Sequence, residues 1–178
     1  MKSRVQEFAQ RIGSNLFSYE DISKEDLVKE LKPFVIDRKD GKKGLLTEEV
    51  QELVDALNNG DILEVTDAVV DLQYYLYQMI SWLEVAGIDF NSAMNAVCDN
   101  NDLKYTTSEA LVRDWSLAHL LRGNDYDIYS KQDYERSEVL GYDFTVKYYC
   151  LKDSEGKVKK AVGHPKVDLL PFIPEKFK

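Results

Sequence analysis

The amino-acid sequence predicts a mainly α-helical protein with a small β hairpin near its C-terminal end. Apolar residues recur at helical spacing through most of the chain, and glycine or asparagine stop signals separate the periodic segments. Apolar and polar residues alternate in a strand-like way only at 143–152. Because 178 residues is the length of one domain, we expect a single domain, 1–178, with a helical core over about 1–105 and a further helix, loop and hairpin over about 106–178.

The helices of the predicted core follow one another along the chain. The first has its apolar face over Val5–Ile12, and the second begins after Ser23 with an acidic first turn. A charged connector without apolar residues, 37–44, comes next. The following two helices, about 45–58 and 61–86, are joined by a very short turn, so they should lie antiparallel as a helical hairpin.

The later elements are shorter. Helices are predicted at about 90–99 and 108–123, the second closed by a glycine. The polar, tyrosine-rich segment 124–141 is assigned no firm structure. The alternating segment 143–152 predicts a strand, and a turn then leads to a return strand within 157–162.

Charge and composition exclude several classes of protein. A formal net charge of −9 argues against binding nucleic acid in bulk through its phosphates. No apolar run reaches the ~20 residues that a membrane-spanning helix needs, and the N-terminus has no apolar secretory core. Cys98 and Cys150 make neither a disulfide framework nor a thiolate zinc site. We therefore expect a cytoplasmic protein with no membrane and no bulk nucleic-acid partner.

Acidic residues form a stripe on each helix of the predicted hairpin, each stripe within about 60° of arc. On the first helix these residues are Glu48, Glu52 and Asp55, with Glu49 beside them. On the second, along the edge of its apolar face, they are Glu64, Asp67 and Asp71. Like charges one helical turn apart cost about 0.2 to 0.5 kcal/mol per pair, so a cation held between the stripes would offset the repulsion. All-oxygen ligation favours Mg²⁺, with Mn²⁺ as a second choice, over zinc.

The same two stripes also fit a simpler interpretation. Acidic residues on helices usually form a solvated face and bind nothing. Six of them on adjoining helices favour a metal site, but their spacing alone does not fix whether the stripes face each other. From the residues alone, both hypotheses stay open.

Three segments together resemble a known enzyme family. EEVQE at 48–52 and, after a short gap, EVTDAVVDLQYYLY at 64–77 are similar to its paired acidic motifs. AGIDFNSAMNAVCDNNDLKY at 86–105 is similar to the stretch that follows, with its Asn-x-x-Lys element, and EGKVKKAVGHPKVDLLP at 155–171 to the closing segment. The family is that of the all-α nucleoside triphosphate pyrophosphohydrolases, the MazG and phosphoribosyl-ATP pyrophosphohydrolase superfamily.

The resemblance implies a helical bundle that works as a homodimer or homotetramer. It also implies a Mg²⁺-dependent enzyme that cleaves a nucleoside triphosphate between the α and β phosphates, releasing a monophosphate and pyrophosphate. By motif position, the residues implied as metal ligands are Glu48, Glu49, Glu52, Asp67 and Asp71. Glu49 is our choice for the catalytic base, and Asn101 and Lys104 are implied as contacts to the substrate phosphates.

Two features depart from the family pattern. The residue three positions before Asp71 is Ala68 and not an acid, so the role of Glu64 as a further ligand is open. The segment 106–141 is longer than compact members need, and it fits a lid, an oligomer contact or a partner surface equally well.

Three hypotheses about function therefore stand. The first is (d)NTP pyrophosphohydrolysis. The second keeps the fold and the metal but acts on another phosphoanhydride, such as phosphoribosyl-ATP or an alarmone; the length of 106–141 disfavours phosphoribosyl-ATP. The third is a non-enzymatic helical interaction module whose acidic face binds a basic partner.

The basic residues late in the chain are interpreted as structural. His119 and His164 are too scattered for a zinc site or a catalytic triad. Lys157, Lys159 and Lys160 fit a solvated hairpin edge better than a surface that draws an anionic substrate.

Overall fold

The computed structural model describes residues 21–36, 38 and 41–178, together with Arg4, Glu7 and Arg11. The apolar residues that predict the first helix lie outside the described residues: Val5, Phe8, Ala9 and Ile12. The chain divides into two compact units, Met1–Ala93 with Leu169–Lys178, and Met94–Asp168. The single-domain organisation stays a prediction. None of the described helices combines the length and the apolar character that crossing a membrane requires.

The first unit is built on three helices, α1 (Lys24–Val35), α2 (Leu45–Asn59) and α3 (Ile62–Val85). α2 ends at Gly60, whose φ of 69° is the left-handed conformation that favours glycine at a helix C-terminus. Asp61 then caps α3, because its carboxylate accepts the main-chain N–H groups at the start of that helix at 3.1 and 3.2 Å. α2 packs along α3, which confirms the predicted helical hairpin.

The core of the first unit lies between α1 and the C-terminal half of α3. Its buried residues are Ile22, Leu27, Phe34, Trp82 and Ala86. The Phe34 ring packs edge-on against Tyr75, with 6.3 Å between the ring centroids. The end of the chain adds two 3₁₀ turns, Leu170–Phe172 and Glu175–Phe177, and Phe177 packs against this core. This packing anchors the half of α3 that follows the acidic residues.

Two further helices confirm the predicted elements. α4 (Phe90–Asp102) begins in the first unit and ends in the second. α5 (Glu109–Leu120) lies in the second unit, where the Ser108 hydroxyl caps it by accepting the Leu111 N–H at 3.2 Å.

The second unit contains an antiparallel sheet of β1 (Tyr105–Thr106), β2 (Asp127–Arg136), β3 (Asp143–Lys152) and β4 (Val158–Lys159). β3 is central, and its pairing with β4 confirms the predicted hairpin, although the return strand is shorter than expected. α5 packs against β3, and its Val112 is fully buried, as is Leu151 of β3.

The main partner of β3 is β2, which the sequence interpretation missed. The two strands pair along their whole length, from Asp127 opposite Lys152 to Arg136 opposite Asp143. The segment 124–141, which was assigned no structure, therefore contains a ten-residue strand. β2 is almost wholly exposed and has no apolar face, so it lacks the alternation that identifies half-buried strands. The mainly α fold with a small antiparallel sheet is confirmed, and the sheet is larger than one hairpin.

Candidate functional site

Glu49, which lies beside the acidic stripe of α2, is more buried than any residue of the two stripes. It lies in the second turn of α2, and only 8% of the residue is exposed. Its Oε2 atom is buried and has no hydrogen-bond partner in the part of the chain that the structure describes. A buried carboxylate oxygen without a partner is costly, so it calls for a proton or a ligand.

The charges around Glu49 come from both helices of the hairpin. Burial is the largest cause that raises the pKa of Glu49, and four other carboxylates raise it further. In decreasing order of effect they are Glu52, Asp71, Glu48 and Asp67. We call these four residues and Glu49 the acidic cluster. The four carboxylates whose charges act on Glu49, together with Glu49 itself, are thus the same five residues that the resemblance names as metal ligands.

Members of the acidic cluster differ in exposure and in partners. Glu52 and Asp67 are exposed, whereas Glu48 and Asp71 are half-buried. Glu48 Oε2 accepts a hydrogen bond from Arg38 Nη2 at 3.2 Å, in an ion pair that crosses from the connector to α2. Arg38 is a cation beside the cluster that sequence reasoning did not identify, because its ten-residue separation from Glu48 follows no helical spacing.

Tyr75 is a second residue that sequence reasoning missed. Burial raises its pKa first, and the charges of Glu49 and Asp71 raise it further. Its hydroxyl therefore lies in the field of the cluster. The available signal was position, since Tyr75 follows Asp71 by four residues and so shares its helix face.

Glu64 is not part of this arrangement. It lies exposed in the first turn of α3, and its charge is not among those that raise the pKa of Glu49. Its main-chain N–H donates to the capping carboxylate of Asp61. A ligand role for Glu64 stays a prediction.

The two residues implied as phosphate contacts belong to the second unit. Asn101 is exposed in the last turn of α4, and its carbonyl oxygen accepts the N–H of Lys104 at 3.0 Å. The preceding Asn100 is buried, with its Nδ2 donating to the Pro165 carbonyl at 2.9 Å and its Oδ1 accepting from His164 Nε2 at 3.3 Å. The phosphate contacts of Asn101 and Lys104 stay predictions.

The donor chemistry of the acidic cluster fits a hard divalent cation. All its side chains are carboxylates, whose oxygens are the donor atoms that such a cation prefers. The Oε2 atom of Glu49 has no hydrogen-bond partner among the described residues, so it is free to bind a cation. Within residues 21–36, 38 and 41–178, however, no three or more Asp, Glu, His or Cys side chains are grouped so as to hold an ion. Metal binding by the cluster stays a prediction.

Comparison with known proteins identifies the segment that contains this site. Residues 32–101 match the family model of phosphoribosyl-ATP pyrophosphohydrolase, and this segment spans α2, α3 and most of α4. Comparisons with curated proteins and with solved structures gave no match. The family match confirms the resemblance and supports a hydrolase that acts on phosphoric anhydrides. Over residues 32–101, which is less than half of its length, the chain is thus similar to the phosphoribosyl-ATP pyrophosphohydrolases, and this similarity is consistent with the MazG-like all-α pyrophosphohydrolase superfamily.

Proposed function

We propose that the chain is a Mg²⁺-dependent nucleoside triphosphate pyrophosphohydrolase that converts a (d)NTP and water into a (d)NMP and pyrophosphate. The observation that carries the proposal is the environment of Glu49. This buried carboxylate has an oxygen without a hydrogen-bond partner among the described residues, and it lies in the field of four other carboxylates from two helices. Burial of such a group destabilises the folded chain, but the group is well suited to binding a cation or accepting a proton.

Each member of the acidic cluster has a role in this proposal. The carboxylates of the acidic cluster, those of Glu48, Glu49, Glu52, Asp67 and Asp71, would hold the ion, with Mn²⁺ as an alternative to Mg²⁺. When bound, the ion neutralises charge on the triphosphate and orients the attacking water. Glu49 accepts a proton from the attacking water while the oxygen of that water bonds to phosphorus. The bond between the α and β phosphates breaks, and pyrophosphate leaves. The raised pKa of Glu49 suits this role, because a general base works best when its pKa lies near the pH of the reaction.

The resemblance implies two further substrate contacts, both from residues of the second unit. The amide of Asn101 and the ammonium group of Lys104 bind phosphate oxygens. Asn101 is exposed, and Lys104 is half-buried.

The hairpin also leaves apolar surface uncovered, which supports the proposed homodimer or homotetramer. The apolar residues of α2 and α3 that are between about two-fifths and four-fifths exposed are Val50, Val54, Leu57, Ile62, Leu63, Val69, Val70 and Leu76. On α2 they recur at i, i+4 and i+7, which is one continuous helix face. A second copy would cover this face and complete a helical bundle of the kind the family implies.

Two other functions remain as alternatives. Phosphoribosyl-ATP is as consistent with the family match as a (d)NTP, and an alarmone has the same anhydride bond. A non-enzymatic module that binds a basic partner would use the same carboxylates without catalysis. We place the enzyme in the cytoplasm.

A substrate panel tests the proposal. Purified chain and Mg²⁺ are incubated with each NTP and dNTP and with phosphoribosyl-ATP, and the products are separated. We expect one or more (d)NTPs to yield a monophosphate and pyrophosphate, with activity lost in Glu52→Gln. The matched control is Asp55→Asn, which removes an exposed carboxylate from the same helix and should retain the activity. Turnover of phosphoribosyl-ATP alone would select the second hypothesis, and orthophosphate as the first product would contradict the mechanism.

A further inference from the structure

The second unit contains a pocket that is rich in basic groups. It has a volume of about 350 Å³ and lies between the end of α5, the start of β2 and the residues that follow β4. Among the residues that the structure describes, the basic residues that line it are His119, Arg122, Lys159, Lys160 and His164, and none of the lining residues carries a carboxylate. We call this the basic pocket. In a chain with a formal net charge of −9, such a concentration of basic groups is unusual.

Two of the cations are available to a ligand. Lys159 is already engaged, because its Nζ lies 2.5 Å from a carboxylate oxygen of Asp153 and its ammonium group lies over the Tyr126 ring. Arg122 and Lys160 are exposed, and neither forms an ion pair with a carboxylate among the residues that the structure describes. A guanidinium group and an ammonium group together suit the oxygens of a phosphate chain.

The main chain along the pocket adds further donors. In the turn from Ala161 to His164, the His164 N–H donates to the Ala161 carbonyl at 3.1 Å, and Gly163 has a φ of 81°. This turn leaves the N–H groups of Val162 and Gly163 without acceptors within the described ranges, and both residues line the pocket. Free N–H groups in a turn are a common part of anion sites.

His119 holds the turn in place. Its Nε2 must donate to the Lys160 carbonyl at 2.7 Å, because a carbonyl oxygen only accepts. Its ring also packs edge-on against Tyr126, with 4.9 Å between the centroids. The other ring nitrogen of His119, Nδ1, is buried and has no hydrogen-bond partner among the described atoms. The pocket is therefore built on fixed groups, and its two available cations are long side chains at its rim.

We propose that the basic pocket is a binding site for a polyphosphate group, which it takes without a divalent cation. A volume in the range of small-ligand pockets, about 300 to 1,000 Å³, exceeds what a single phosphate fills. The group has two sources, free pyrophosphate or the polyphosphate chain of a nucleotide. This site is distinct in residues and chemistry from the acidic cluster, and the inference does not rest on the proposed function. For Lys160, the proposal favours an anion-binding role over the solvated hairpin edge that the sequence favours.

The two histidines make direct observation possible. The chain contains only His119 and His164, and both line the basic pocket. In the full chain with EDTA present, ring signals of both histidines should shift in the NMR spectrum as inorganic pyrophosphate is added. Sulfate at matched ionic strength should leave them nearly unchanged. Unmoved signals, or equal shifts with sulfate, would overturn the proposal.

A matched pair of double variants tests which cations bind. Arg122→Gln with Lys160→Gln should weaken pyrophosphate binding about tenfold or more, because each removes a charge-assisted hydrogen bond. Arg136→Gln with Lys147→Gln removes one arginine and one lysine charge from exposed positions on the strands and should change the affinity by less than about threefold. Equal weakening in the two double variants would contradict the proposal.

Competition identifies the source of the polyphosphate group. If metal-free ATP displaces pyrophosphate, the pocket takes the polyphosphate chain of a nucleotide. If it does not, the ligand is pyrophosphate itself. Both results support a polyphosphate site.

Discussion

Replacement of Glu49 by glutamine should lower the rate of hydrolysis by about 100- to 10,000-fold while leaving the chain folded. This range is what a general base contributes, and glutamine keeps the shape of the side chain but cannot accept the proton. The measurement is kcat with the best (d)NTP at saturating Mg²⁺, with circular dichroism as the test of folding.

The stability of the same variant provides a second, independent readout. Burial and neighbouring carboxylates raise the pKa of Glu49 above its ordinary value of 4.5, so the folded chain holds this proton more tightly than the unfolded chain. The stability that the protonated Glu49 contributes is fully present below the pKa of this residue in the unfolded chain. It is lost as the pH rises through the pKa of Glu49 in the folded chain. Glutamine does not titrate. In the absence of Mg²⁺, the free energy of unfolding of Glu49→Gln should therefore increase relative to that of the parent as the pH rises to neutral.

Asp55→Asn is the control for both readouts. Asp55 is on the same helix, is exposed, and accepts a hydrogen bond from Gln51 Nε2 at 3.0 Å. Asp55→Asn should leave the rate nearly unchanged and the free energy of unfolding within about 0.5 kcal/mol of the parent. Full activity of Glu49→Gln would remove Glu49 from the chemistry and leave the acidic cluster without its proposed base.

Replacement of Trp82 by alanine should lower the free energy of unfolding by about 3 to 5 kcal/mol. Trp82 is 5% exposed and belongs to the core that joins α1 to α3. Its loss leaves a cavity that the surrounding helices cannot fill without moving. Urea unfolding followed by circular dichroism measures the effect.

A surface variant of the same helix serves as the comparison. Gln73→Ala, at an exposed position of α3, should change stability by less than about 0.5 kcal/mol. A loss below about 1 kcal/mol for Trp82→Ala would mean that this core does not hold the hairpin together. Activity measured on the fraction that remains folded should be affected less by Trp82→Ala than by Glu49→Gln.

The helical part of the fold was predictable because its signals are local. The turn at Gly60 and the cap at Asp61 lie within five residues of the groups they satisfy, so the hairpin could be identified from sequence. The acidic stripes were predictable for the same reason, since helical spacing alone puts residues one turn apart on one face.

The features that escaped prediction depend on contacts between distant residues. β2 is stabilised by its ladder of hydrogen bonds to β3 and has no apolar face that a pattern could reveal. The Arg38–Glu48 ion pair requires the connector to fold back on α2. The basic pocket combines residues from His119 to His164, and nothing in their spacing indicates that they share a cavity. Spacing also did not identify Glu49 as the most buried acid.

The most direct test of the central claim, that the acidic cluster holds a divalent cation, is thermal unfolding with and without Mg²⁺. For the parent chain, Mg²⁺ at about 100 times its dissociation constant should add about 2.7 kcal/mol to the free energy of unfolding, and Asp71→Asn should lose most of this gain. Asp55→Asn should keep it. An equally small response of all three proteins, matched by NaCl at the same ionic strength, would show an ordinary acidic surface and contradict the account.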